Sequence, residues 1–426
     1  MRQTDNGQDG LLLSVVFIKL AEQVFWLQKV RDCFDAFPYF LNLQLAYSNS
    51  KNVRKETCSV MHMPKISIVA LLWAALLCLN GCGSGTGDSA AQTSAEQVAA
   101  ADSDSSEAAA DADAVYEDTQ ELMGTVITVR AFGSHAKEGV EAAFSRAAEL
   151  EQVFSNTISD SEVCRVNQAA KAAVGTEIPV SEEFAAVLAE SLKYGEMSGG
   201  ALDCTIGDLI DLWGIGTDHA AIPPEEQIQA LLRPDGWKDV TLDTEARAVS
   251  FANDAVTLNF GAVAKGYISD EMKIAIQDAG VTSGLMSLGG NVMTLGTKPD
   301  GSSWAVAITD PFSPDDLIAS LQVTDQAVVT SGNYEKYFEE NGKRYHHILD
   351  PVTGAPSESD VVSTTIIASS GMDCDALSTT CYLLGSEKGM ALINSLDGIE
   401  AVFVKADGTL VQSEHMDTYT LQELSS

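Results

Sequence analysis

Residues 239–272 read DVTLDTEARAVSFANDAVTLNFGAVAKGYISDEM. The segment up to Phe260 reads as strands joined by polar turns, Gly261 turns the chain, and a helix is expected from about Ala262 to Ala279. Upstream, LMGTVITVRAF (122–132) alternates as a strand does. KEGVEAAFSRAAELEQVF (137–154) then spaces Val140, Phe144, Ala147 and Glu151 as one helical face. SEEFAAVLAESLKYGEMSGG (181–200) opens on a serine N-cap, turns Phe184, Leu188 and Leu192 inward, and stops at Gly199–Gly200. Downstream, strands dominate from Leu285 to Ser369, two helices span about Asp373 to Leu396, and EAVFVKADGTLVQSE (400–414) closes as a hairpin. Strands and helices therefore come in runs. Runs favour an α+β fold of antiparallel sheets with packed helices over a doubly wound parallel sheet.

The chain has 426 residues, 45% of them hydrophobic, and a formal net charge of −36. That argues against nucleic acid as a partner, because phosphate backbones are bound by basic surfaces. It also means that an anionic ligand needs local help from a lysine, a metal ion or a helix N-terminus. From Met61 the chain runs MHMPKISIVALLWAALLCLNGCGSG: Lys65, an apolar run short for a membrane span, small residues, then Cys82, with an ordinary signal-anchor helix as the other reading. This layout is an export signal at 61–81, and LNGC resembles the lipobox of bacterial lipoproteins, with Cys82 as the lipidated mature N-terminus. Residues 1–60 are expected to precede the true start at Met61 or Met63; a cytoplasmic extension is the alternative. Residues 82–115, rich in Ser, Ala, Gly and Asp, bury too little to fold and read as a flexible acidic tether, so the folded domain is expected over 116–426. Cys164, Cys204, Cys374 and Cys381 form no C-x-x-C pair, which argues against a zinc site.

Four stretches carry candidate chemistry. In LNFGAVAKGYISDEM (258–272), Lys265 falls in the first turn of the helix, where outward amides and an ammonium suit a phosphate; a solvated lysine is the other reading. SLGGNVMTLG (287–296) sets Gly289–Gly290 after a strand, either for close ligand approach or for a tight bend. In GMDCDALSTTCYLLG (371–385), Asp375, Ser378 and Thr379 share one helical face. Hard oxygens of that kind suit Mg²⁺, although capping and back-bonding would use the same residues. Finally, RYHHILDPVTGAP (344–356) places two of the chain's six histidines side by side before a Pro–Gly turn. In a strand, His346 and His347 point to opposite faces, so only one can face a given cleft. That one could act as a general base, or the pair could be one exposed and one core histidine.

Seven stretches in order, MGTVITV, SGGALDCTIGDLIDLWGIG, NFGAVAKGYISD, MSLGGNVMTLG, VVTSGNYEKYF, YHHILDPVTGAP and CDALSTTCYLLG, resemble the FAD:protein FMN transferase (ApbE) family of flavin-dependent lipoproteins. The resemblance spans Leu122 to about Gly385. It implies two subdomains flanking an FAD cleft, and Mg²⁺-dependent transfer of FMN from FAD to a threonine hydroxyl of a target protein, releasing AMP. It implies an acceptor that is a membrane subunit of a redox-driven pump carrying a threonine acceptor motif. The enzyme would be lipid-anchored at the extracytoplasmic face of the cell membrane. Flavin contacts would fall at Met123, Ala201, Leu202, Asp203, Asn259, Lys265 and His347. Metal ligands would be the Ala262 carbonyl with Asp375, Ser378 and Thr379, and His347 would be the base.

The chain departs from the family pattern at several positions. Asn259 stands where aspartate is frequent, Cys204 where proline is, and Gly199 where aspartate is. FSNTISDSEVCRVN (154–167) lacks the tyrosine that many members place near Asn156 or Thr157, and members without it can act as metal-dependent FAD hydrolases. An FAD pyrophosphatase giving FMN and AMP is therefore the first alternative. A flavin-binding lipoprotein that leaves FAD intact is the second.

Overall fold

The computed structural model describes residues 114–424. The export signal, Cys82 and nearly all of the tether lie outside the described residues. The chain runs β1 (Val115–Leu122), β2 (Thr125–Phe132), α1 (Ala136–Phe154), α2 (Glu162–Ala172), β3 (Ile178–Pro179), α3 (Glu182–Met197), α4 (Gly207–Trp213) and α5 (Glu225–Leu231). It continues with β4 (Val240–Asp243), β5 (Ala248–Phe251), α6 (Ala264–Asp278), β6 (Ser283–Leu288), β7 (Asn291–Leu295), β8 (Trp304–Asp310), β9 (Ser313–Val323) and β10 (Ala327–Gly332). It ends with β11 (Tyr337–Glu340), β12 (Lys343–His346), β13 (Val361–Ala368), α7 (Gly371–Ile393), β14 (Glu400–Lys405), β15 (Leu410–Gln412) and β16 (Thr420–Glu423).

Eight strands form the main sheet in the order β1-β2-β6-β7-β10-β13-β14-β15, and its ladders are antiparallel, as the runs of strands predict. Its two faces separate by the two-residue strand period. Val329, Ile366 and Phe403 face one core, shared with α1, α6 and α7. Their neighbours Val328, Ile367 and Val402 face a second core, shared with the three-stranded sheet β16-β9-β8 through Trp304, Ile308 and Leu321. A third cluster, Leu209, Trp213, Ile228 and Leu349, joins α4 and α5 to the Asp350–Gly354 turn, where the Trp213 indole donates to the Gly354 carbonyl at 2.7 Å.

The expected helical faces hold. Val140, Phe144 and Ala147 are buried on α1, and Phe184 and Leu188 on α3 with Leu192 half-buried. Ser181 caps α3 by accepting from the Phe184 amide. The two expected C-terminal helices form one element broken at Gly385, whose backbone is non-helical. Helices α6 and α7 touch so closely that a Cβ at Gly266 would collide with the Gly371 carbonyl and stand 2.7 Å from the Asp375 Cβ. That contact brings Lys265 and Asp375 together.

Candidate active site

Two hairpin turns share one end of the main sheet. Met123–Gly124 joins β1 to β2 and Gly289–Gly290 joins β6 to β7, all four residues with positive φ. Two-residue turns of this kind match the strand twist but strain a residue with a side chain. Met123, at φ 54°, is held there by its amide, which donates to the Glu151 carboxylate of α1 at 2.6 Å. β7 starts beside the second turn, and Asn291 Nδ2 reaches from it to Asp375 Oδ1 at 3.0 Å.

Asp375 is buried and anchors the site. Its carboxylate also takes Lys265 Nζ at 3.1 Å and the Gly266 amide at 3.0 Å. The Gly266 amide is the one that would ordinarily bond the carbonyl of residue 262, one helical turn back. Because it turns to Asp375, the Ala262 carbonyl accepts no hydrogen bond among the described residues. Ser378 Oγ donates to the Asp375 carbonyl at 2.9 Å and lies 2.8 Å from Ser331 Oγ, which is also 3.2 Å from Thr379 Oγ1. The back-bonding reading of Ser378 is thus real, and it leaves the hydroxyl on the helix face that carries the Asp375 side chain. No group of three or more His, Cys, Asp or Glu fit for a metal occurs among the described residues. A set of one carboxylate, two hydroxyls and a free carbonyl is all hard oxygen, and a cation, the Lys265 ammonium, already lies against it. That donor chemistry fits Mg²⁺.

The histidine pair resolves by burial. His346 ends β12 inside the protein, where Nε2 meets the Ser357 carbonyl at 3.0 Å and Nδ1 accepts from the Ile348 amide. It is a structural histidine. His347 follows the strand and is half-buried. Its amide donates to the Lys336 carbonyl at 3.0 Å, and its Nδ1 lies 3.2 Å from the same oxygen. A carbonyl only accepts, so Nδ1 carries the proton and Nε2 of the neutral ring keeps its lone pair. Desolvation first, then the Lys336 and Lys265 ammonium groups, push the His347 pKa down to about 3. Its base form is therefore present at all pH values above about 3, including the whole range near neutrality. The expected pH–rate profile of FAD turnover has no acid limb near 6.5 from this residue, and a titration of kcat/KM from about pH 5 to 8 checks it.

The remaining expected contacts lie on neighbouring loops. The Asn259 amide donates to the Cys204 carbonyl at 2.8 Å, which ties segment 201–204 to the loop before α6. Asn259 Oδ1 takes the Gly261 amide at 2.9 Å. The Asp203 carboxyl is buried and holds the Thr205 amide and hydroxyl and the Trp237 amide, so its visible work is to shape the loop. Burial raises its pKa. Ala201 is half-buried and Leu202 buried beside it.

The model of the ApbE family matches residues 123–403 of this chain. The FAD:protein FMN transferase of Treponema pallidum is 34% identical over 310 residues, covering 68% of this chain and 85% of the relative. That of Klebsiella pneumoniae is 34% identical over 301 residues, covering 70% and 92%. The crystal structure of the ApbE protein of Thermotoga maritima superposes with a TM-score of 0.65 at 28% identity, over 72% of this chain and 99% of the other.

The chain belongs to the ApbE family. The ApbE match begins at Met123, the strained turn, and runs into β14, so every residue of the candidate site falls inside it. Several site residues escape sequence reasoning even within the ApbE-like stretches. Asn291 and Ser331 hold Asp375 and Ser378 from two different strands, and Glu151 holds the Met123 amide from α1. Glu335 and Lys336, in SGNYEKYF (331–338), follow β10 and feel the charge of Lys265, and the Lys336 carbonyl holds the His347 ring. Both are exposed residues. Their one sequence signal is a Glu–Lys pair directly after a strand end, which any surface loop could carry.

Proposed function

We propose that this chain transfers the FMN half of FAD to a threonine hydroxyl of a target protein, releasing AMP with the help of Mg²⁺. The transferase class follows from membership of the ApbE family. The observation that supports the detail is the Lys265–Asp375 pair beside a histidine with a free Nε2.

In this reading Lys265 and the N-terminus of α6 meet the pyrophosphate. Phosphoryl transfer asks mainly for positioning and charge stabilisation, which an ammonium and helix amides supply. His347 Nε2 takes the proton of the incoming hydroxyl, while the Lys336 carbonyl fixes the ring by its Nδ1 proton. The Met123–Gly124 and Gly289–Gly290 turns, segment 201–203 and Asn259 line the flavin side. Asp375, Ser378, Thr379 and the Ala262 carbonyl would hold Mg²⁺, which supplies charge neutralisation at the phosphates. Cys82 would carry the lipid, and the tether would hold the domain at the extracytoplasmic membrane face within reach of a membrane acceptor. Among the described residues no helix is long and apolar enough to cross a membrane.

A second reading, hydrolysis of FAD to FMN and AMP, is favoured by one observation. No aromatic side chain stands at 155–158, and Asn156 turns its amide to the Leu258 carbonyl instead. One assay separates the two. With FAD, Mg²⁺ and a threonine-bearing acceptor peptide, covalent fluorescent flavin on the peptide is expected, and EDTA should reduce it to background. Free FMN with an unlabelled peptide would establish the hydrolase instead.

A further inference from the structure

In a chain of net charge −36, Lys265, Lys336 and His347 lie near enough to act on one another's charge, with the His347 Nδ1 at 3.2 Å from the Lys336 carbonyl. Lys265 is engaged by Asp375 and the Gly261 carbonyl. Lys336 is not: its ammonium makes no ion pair or hydrogen bond among the described residues. Its stem lies along the loop after α4, with Cδ 3.4 Å from the place of a Cβ on Gly216. Its carbonyl holds both the amide and Nδ1 of His347, so the side chain starts next to the base. The adjacent carboxyl, Glu335, has Oε1 3.9 Å from the place of a Cβ on Gly290, on the Asp375 side of the site. Lys336 is exposed, and its ammonium feels the repulsion of Lys265 more than the attraction of Glu335. Such a cluster is unfavourable alone and is relieved by a polyanion.

We propose that Lys336 is a second phosphate-binding cation of this site and takes the phosphate that departs with AMP, while Lys265 stays with Asp375. The assignment rests on the transferase reading above, or on its hydrolytic variant, since both release AMP. In either, the acceptor oxygen bonds to the phosphorus of the FMN half and the bond from that phosphorus to the bridging oxygen breaks. The bridging oxygen and its electron pair leave with AMP, and the acceptor proton passes to His347; nothing is oxidised or reduced. Negative charge thus grows on the AMP phosphate during the step, where an ammonium with no carboxylate partner is most useful.

The test compares wild type, Lys336→Met and Lys336→Arg in the complete protein. AMP binding is measured by calorimetry and FAD turnover is measured separately. Lys336→Met is expected to weaken AMP binding by at least about tenfold, as loss of one charge-assisted phosphate contact does. It should lower kcat by about 10²-fold, more than it raises KM for FAD. Lys336→Arg should restore most of both, because it keeps the charge and the reach. Lys336→Met with AMP affinity and kcat within about twofold of wild type would overturn the assignment, as would a wild type with no affinity for AMP. Lys336-dependent AMP binding in a protein that turns over no FAD would support the anion site and overturn the transferase reading instead.

Discussion

Asp375→Ala should reduce FAD turnover by about 10³-fold or more at saturating Mg²⁺, because one carboxylate serves both the cation set and the lysine. It accepts from Lys265, the Gly266 amide and Asn291 at 3.0–3.1 Å. Removing it strands a partly desolvated ammonium and two donors. Unmaking a buried ion pair from one side costs about 3–5 kcal/mol; the lysine, still 27% exposed, places this case toward the lower end. Asp375→Asn separates the two effects. It keeps the shape and an acceptor oxygen, so urea unfolding should show most of the stability restored while turnover stays lost. Near-wild-type turnover in Asp375→Asn would remove the carboxylate from the site.

Gly266→Ala carries the second large effect and acts through packing. The added methyl would meet the Gly371 carbonyl and the Asp375 Cβ at distances that real Cβ atoms do not show. Both obstacles are backbone or branch-point atoms, so neither can swing away, and α6 must move off α7. Overpacking of this kind costs about 3 kcal/mol or more. It also pulls Lys265 from Asp375, so turnover should fall together with the melting temperature. A Gly266→Ala protein with wild-type unfolding and turnover would mean that the two helices do not approach as described.

The local elements are legible in the amino-acid sequence. The cap of α3, the apolar faces of α1 and α3, and the runs of strands all follow from residue spacing within a few turns. Asp375 as a candidate ligand is legible too, because Ser378 and Thr379 share its helical face. The histidine pair is half legible: alternation separates the two rings but does not say which one lies inside. Burial of His346 against Ser357 and Tyr382 decides that.

The sequence by itself determined the α+β class, the order of the elements and the resemblance to the ApbE family, since each depends on periodicity and short motifs. Only the tertiary structure decided which charges meet. Lys265 and Asp375 stand 110 positions apart and Met123 and Glu151 28, and the main sheet, although its strands follow chain order, passes over β3–β5, β8–β9 and β11–β12, which pair elsewhere. The physical reason is that strength of interaction follows distance in space. That distance is fixed by helices and strands packing on both faces of one sheet, and a one-dimensional pattern does not record it.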